Sequence, residues 1–149
     1  MTPTSDSATA TSLPIGSDAD LAWVRHQVRQ FAAGLGFGLV QQTKIVTAAS
    51  ELARNTLIHG GGGQATITPL TNGSRRGLKL SFADDGPGIR DVELAMTDGY
   101  TTGGGLGLGL SGSRRLVDEF TIDTRPGEGT VVTLVAWATG VPAGRPGSG

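Results

Sequence analysis

Two helical patterns run back to back in this chain before any strand-forming segment, an order that does not fit the alternating βαβ rhythm of a doubly wound fold. Ser17 suits an N-cap, with Asp18 and Asp20 placed in the first turn, where negative charge is favoured. Leu21, Val24, Val28, Phe31 and Leu35 recur at helical spacing, which predicts a helix over 18–35 ended by GLGFG at 34–38. A second pattern over 40–59 puts Ile45, Ala48, Ala49, Leu52, Ala53 and Leu57 on its buried side and stops at Gly60. The runs ATITPL (65–70) and LKLSFA (78–83) read as strands joined through an Asn-Gly turn signal in TNGSRRG. After DDGPG come a short helical candidate at 91–96, a variable stretch to Thr102 and a helix over 107–119 carrying Leu110, Leu116 and Val117. FTIDT (120–124) and TVVTLVAW (130–137) form a last hairpin around RPGEG. The expected fold class is α+β: a two-layer sandwich in which one mixed sheet carries its helices on a single face.

A length of 149 residues suits one such domain, expected over 13–138, with a Ser/Thr-rich tail at 1–12 and a flexible tail at 139–149. The chain holds no cysteine, which excludes a disulfide framework, a thiol nucleophile and a thiolate zinc site. A net charge of −1 argues against nucleic acid held by phosphate neutralisation. No apolar run reaches the roughly 18 residues that span a bilayer, so no membrane association is expected. The opening MTPTSDSATATS has neither the basic start nor the apolar core of a signal peptide, and the expected location is the cytoplasm.

What the fold class leaves unexplained is glycine, which supplies 25 of the 149 residues, well above the usual share of roughly 7%. Gly140, Gly144, Gly147 and Gly149 lie in the C-terminal stretch, and Gly60–Gly63 follow the second helix as a stop and loop. Nine others fall into clusters beside structured segments: Gly86 and Gly88; Gly103, Gly104, Gly105, Gly107 and Gly109; Gly127 and Gly129. Such clusters are either ordinary loops or places where backbone approaches one ligand from several directions.

Four constellations carry chemistry. Glu51 and Asn55 stand four apart in SELARNTLIHG, on one helix face. Asn55 can offer a hard oxygen to a magnesium ion that also holds phosphates, and Glu51 can accept a proton from a hydroxyl; alone, the pair also reads as a solvated helix face. Asp84 ends the strand LKLSFA and opens DDGPGI. A carboxylate there can accept the amino proton of adenine, whereas guanine would oppose it with a carbonyl; alone, the motif also reads as a turn. GGGLGLGL (103–110) precedes a helix, so its exposed N–H groups favour phosphate. It lacks the Lys-Ser/Thr of a P-loop and the preceding strand of a dinucleotide fingerprint. Gly127-Glu128-Gly129-Thr130 is a hairpin turn that also sets a hydroxyl at the start of the last strand.

In this order the four motifs resemble the GHKL superfamily of ATP-binding domains, to which gyrase, histidine kinases and MutL belong. The segments SELARNTLIHG, DDGPGIRDVELAMTDGYTTGGGLGLGLSGSRRLVDEF and GEGT look most like the RsbT-type switch kinases among its small bacterial serine kinases and anti-sigma factors, over about residues 14–137. The resemblance implies the Bergerat α/β sandwich, with ATP and Mg2+ as cofactors. It implies that Asn55 binds magnesium, that Glu51 is the base activating an acceptor hydroxyl, and that Asp84 recognises the adenine amino group with support from Thr130. Gly86 and Gly88 would shape the base pocket. Gly103, Gly104, Gly105, Leu106, Gly107, Leu108 and Gly109 would hinge a lid at 90–102 and cradle phosphates. The implied activity is phosphorylation of a serine or threonine on a STAS-domain antagonist or scaffold protein, with a PP2C-type phosphatase or a sigma factor as a further partner. The alternative is an anti-sigma factor that sequesters its target in a nucleotide-dependent way with little catalysis.

One departure stands out. Related anti-sigma kinases carry an arginine in the lid, whereas residues 91–102 (DVELAMTDGYTT) contain neither Arg nor Lys. A cation assisting transfer beyond magnesium must then come from Arg54, Arg114, Arg115 or the partner; each of these arginines also reads as a solvated surface charge. His26 and His59 do not sit in a separate helical hairpin of the kind that accepts phosphate in histidine kinases, and they read as surface and helix-end residues.

Overall fold

The computed structural model describes residues 9–89, 92, 96 and 109–139. Five strands, β1 (Thr11–Ile15), β2 (Gly63–Asn72), β3 (Arg75–Asp84), β4 (Glu119–Arg125) and β5 (Gly129–Trp137), form one sheet in the order β1-β2-β3-β5-β4. Three helices, α1 (Asp18–Gly34), α2 (Leu39–Ile58) and α3 (Gly109–Arg114), accompany it. The α+β two-layer sandwich expected from the sequence is the fold observed. The expected mixed sheet is not: every strand pair is antiparallel. β3 and β4 do run in the same direction, but the hairpin that returns β5 from β4 inserts β5 between them. Parallel strands therefore never become neighbours.

Strand alternation divides the sheet into a helix-facing and an outward side. Registered residues on the inner side form rows across the strands. Ile67, Leu80, Leu134 and Phe120 make one row, and Leu13, Ala65, Phe82, Val132 and Ile122 make the next. The apolar faces of α1 and α2 close over these rows. Val24, Val28 and Ala32 are buried on α1, and Ile45, Ala48, Ala49, Leu52 and Ala53 on α2, while Leu21, Phe31, Leu35 and Leu57 pack against the core from its margin. Leu80 lies at the centre of this packing with 1% of its surface exposed. Its replacement by alanine is expected to cost about 2–5 kcal/mol in a urea titration, through lost burial and the cavity left behind.

Local chemistry sets the helix boundaries. Ser17 caps α1 by accepting the Asp20 N–H at 3.2 Å, and the Asp20 carboxylate accepts the Gly16 N–H at 2.8 Å. The two bonds satisfy amides that the helix itself leaves unpaired. α2 follows Gly38, and the buried Gln42 side chain donates to the Phe37 carbonyl at 2.8 Å, fixing the connection from α1.

Three expectations change. β1 begins at Thr11, inside the segment expected as a tail, because Leu13 and Ile15 bury against the inner face while β1 pairs with β2. The helix expected over 107–119 is described only as Gly109–Arg114. Beyond it the Asp118 N–H donates to the Val135 carbonyl and the Asp118 carboxylate accepts the Trp137 N–H, so the sheet takes the chain before a longer helix can form. Thr139, expected in the tail, donates both its N–H and its hydroxyl to Gln41 Oε1 at 3.1 Å. Of the helical candidate at 91–96 only Val92 and Met96 are described, joined by a bond from the Met96 N–H to the Val92 carbonyl.

Candidate functional site

At one end of the sheet the inner rows turn from apolar to polar. The row after Phe82 consists of Ile15, Gly63, Asp84, Thr130 and Thr124. A carboxylate and two hydroxyls thus replace the branched and aromatic side chains of the preceding rows. Asp84 is half-buried and Thr130 buried, so strand pairing places both facing the helix layer rather than open water.

Glycines give this carboxylate its surroundings. A Cβ at Gly60 would fall 2.6 Å from Asp84 Oδ2, and one at Gly86 would fall 2.7 Å from the Gly60 Cα. Asp84 Oδ1 accepts the Gly86 N–H at 2.9 Å. Gly60 in turn donates its N–H to the Asn55 carbonyl at 3.2 Å at the end of α2. The C-terminal turn of α2, which carries Asn55, is therefore linked through one glycine to the Asp84 carboxylate. Glu51 lies one turn earlier on α2, and both it and Asn55 are half-buried. Gly60 was legible in the sequence only as a helix stop.

The loop after Asp84 is held to the β4–β5 hairpin. Gly88 has a φ of +77° and faces the Arg125 carbonyl, where a Cβ would collide. The Gly127 N–H donates to the Pro87 carbonyl at 2.7 Å, and the Ile89 N–H donates to Thr124 Oγ1 at 2.8 Å. Thr130 Oγ1 lies 2.8 Å from Thr124 Oγ1. Thr124 is a site residue that the motif reading missed; its one sequence signal is that it opposes Thr130 across the turn at an inward position. At the same sheet end a cleft of about 280 Å³ is lined by Asp84 and Thr130 of the polar row together with Ala83, Asp85, Asp123, Arg125, Glu128, Gly129 and Val131. Of its charged side chains, Asp85, Asp123, Arg125 and Glu128 are exposed and Asp84 is half-buried.

Asp84, Gly86, Gly88 and Thr130 are thus brought together, with Asn55 joined to them through Gly60. Gly109 opens α3, which packs against α2. Gly103, Gly104, Gly105, Leu106, Gly107 and Leu108, and all of the expected lid at 90–102 except Val92 and Met96, lie outside the described residues. Arg54, Arg114 and Arg115 are all exposed. Among the described residues no group of three or more His, Asp or Glu side chains stands together as a metal cage. No described helix is long and apolar enough to cross a membrane.

The site is thus a glycine-bordered carboxylate at the end of a central strand, in an antiparallel sheet layered with helices. The chain belongs to the histidine kinase-, DNA gyrase B- and HSP90-like ATPase family, whose model matches residues 40–139. Within that class it is 44% identical to the serine/threonine-protein kinase RsbT of Bacillus subtilis over 123 residues, which cover 83% of this chain and 92% of that kinase. It is 31% identical to the anti-sigma F factor of a Thermoanaerobacter species over 122 residues, covering 78% of this chain and 84% of that factor. Among solved structures, the RsbU and RsbW domains of a Mycobacterium tuberculosis protein superpose with a TM-score of 0.59 at 20% identity, covering 87% of this chain and 32% of that one. That likeness is one of fold.

Proposed function

We propose that this chain is an ATP-dependent protein kinase that phosphorylates a serine or threonine on a STAS-domain partner in a bacterial, cytoplasmic partner-switching pathway. The observation that carries the reading is the 44% identity extending over 92% of the length of a serine/threonine-protein kinase. The geometry supports it: the helix face bearing Glu51 and Asn55 ends at Gly60, against the Asp84 carboxylate.

Each residue then has a task set by its chemistry. Asp84 accepts the adenine amino protons while its other oxygen is held by the Gly86 N–H. Thr130, opposite Asp84 in the register, adds a hydroxyl beside the base. Asn55 supplies the amide oxygen for magnesium, which when bound neutralises phosphate charge. Glu51 accepts the proton of the incoming hydroxyl. Gly103, Gly104, Gly105, Leu106, Gly107, Leu108 and Gly109 are assigned to the phosphates on the sequence motif. Once its partner is phosphorylated, the kinase is free to engage a PP2C-type phosphatase.

Gly60→Ala tests the placement of Asp84. The added methyl must push the carboxylate aside, and ATP affinity by calorimetry is expected to fall roughly tenfold, the scale of one charge-assisted hydrogen bond. An unchanged affinity would show that the nucleotide does not depend on this carboxylate's position.

The 31% identity to an anti-sigma F factor favours a second reading, in which the chain sequesters a sigma factor with little catalysis. Incubation with γ-labelled ATP and STAS-domain proteins separates the two. Label on a partner serine or threonine supports the kinase; no label, together with tight nucleotide-dependent binding of a sigma factor, supports sequestration.

A further inference from the structure

β4 is an edge of the sheet, and it lacks two devices that commonly blunt one. No proline interrupts it, whereas β1, the opposite edge, carries Pro14. Its inward residues, Phe120, Ile122 and Thr124, carry no charge. Among the described strands β4 pairs with β5 alone, and α1 and α2 pack over β1, β2 and β3 instead. Phe120 and Ile122, which end the two apolar rows, are half-buried. The core therefore runs out at β4 on a backbone edge with no pairing strand and two apolar side chains still partly in water.

The charges on this edge show what fits it. A second copy related by a two-fold axis normal to the sheet sets the two β4 strands antiparallel and keeps both helix layers on one side. Inward residues must then face inward residues, which limits the register to pairings centred on a residue rather than between two. Centred on Ile122, all seven residues of β4 pair. Glu119 faces Arg125 of the second copy at both ends, Ile122 faces Ile122, Phe120 faces Thr124, and Thr121 faces Asp123. No like charges are directly opposed. Centred one residue earlier, on Thr121, Glu119 faces Asp123; centred one residue later, the two Asp123 carboxylates face each other. Both neighbouring registers thus set carboxylate against carboxylate, which is unfavourable across a strand pair. Glu119 and Arg125 are exposed, and neither side chain has an ion-pair partner among the described residues.

We propose that β4 is a self-recognition edge, through which two copies of this chain join β4 to β4, centred on Ile122, into one ten-stranded antiparallel sheet. Backbone pairing along the edge supplies the affinity, and the two Glu119–Arg125 pairs fix the register. The inner row Leu13, Ala65, Phe82, Val132 and Ile122 then continues into its own two-fold image. The proposal goes beyond the kinase reading and does not rest on it. Asp84 lies on β3, with β5 between it and the joint, so each copy keeps its own polar row.

Sedimentation equilibrium of the full chain tests this, with two charge reversals and their combination. Wild type is expected to show a monomer–dimer equilibrium at concentrations up to about 100 μM. Glu119→Arg sets arginine against arginine at both ends, and Arg125→Glu sets glutamate against glutamate. Each is expected to weaken the dimer roughly tenfold. The double variant Glu119→Arg/Arg125→Glu restores opposite charges and is expected to return the dissociation constant to within about threefold of wild type. The chain has no cysteine of its own, so a single introduced one reports the joint directly. Ile122→Cys is expected to cross-link as a dimer under copper-phenanthroline oxidation, whereas Ser12→Cys, on the opposite edge, is not. A wild-type chain that stays monomeric, a double variant as weak as either single one, or cross-linking through Ser12 rather than Ile122 overturns the proposal. A monomer that still binds ATP and labels a partner leaves the proposed function standing.

Discussion

Glu51→Ala is expected to hold ATP within about threefold of the wild-type affinity and to lose phosphoryl transfer by roughly 10²–10⁴-fold, the span of a general base. The separation of the two effects follows from where the side chain sits. Glu51 lies one helical turn before Asn55 on α2, half-buried, and among the described residues the Asp84 carboxylate is held by the Gly86 N–H and the Ile89 N–H by Thr124. Its removal leaves the base pocket intact and takes away only an acceptor for the incoming proton. Single-turnover transfer from pre-bound labelled ATP measures this. Transfer at the wild-type rate would remove Glu51 as the base, and a parallel fall in affinity would place it in binding instead.

Asn55→Ala is expected to act on the other half of the cycle. With magnesium present, ATP affinity should drop by roughly 100-fold or more, since even residues that only orient a metal ligand cost 10–100-fold. In the presence of EDTA, wild type and variant should bind alike. The backbone of Asn55 still accepts the His59 and Gly60 N–H groups, so the end of α2 and the contact with Asp84 survive the substitution. A loss of affinity that persists in EDTA would mean that the amide acts on the fold or on the nucleotide directly rather than through the metal.

Much of this was legible in the sequence because the signals were periodic or ordered. The spacing of Val24 and Val28, and of Ile45, Ala49, Leu52 and Ala53, marked the buried faces of both long helices, and these residues are buried. The strand runs located β2 to β5, with each boundary within three residues of the one observed. β1 was not legible, because a five-residue edge strand with Pro14 in it buries only Leu13 and Ile15 and has no period long enough to read. The antiparallel sheet was hidden in chain connectivity: which strand β5 would pair with is a long-range choice that local pattern does not encode. At the site, DDGPG announced Asp84 and its glycines, but Gly60 reaches Asp84 across the fold and looked like a helix stop. Thr124 was hidden for a similar reason. In FTIDT it reads as one more strand residue, and only the register with Thr130 and the hydrogen bond from Ile89 give it a place in the pocket.

The claim on which the rest depends is that the Asp84 end of the sheet reads adenine, and competition between ATP and GTP in wild type and Asp84→Asn tests it most directly. The account predicts that wild type prefers ATP by roughly 100-fold, because guanine would set a carbonyl against a half-buried carboxylate. Asparagine offers a donor as well as an acceptor, so the variant should bind ATP far more weakly and lose most of the preference. Equal binding of both nucleotides by wild type, or wild-type ATP affinity in Asp84→Asn, would contradict it.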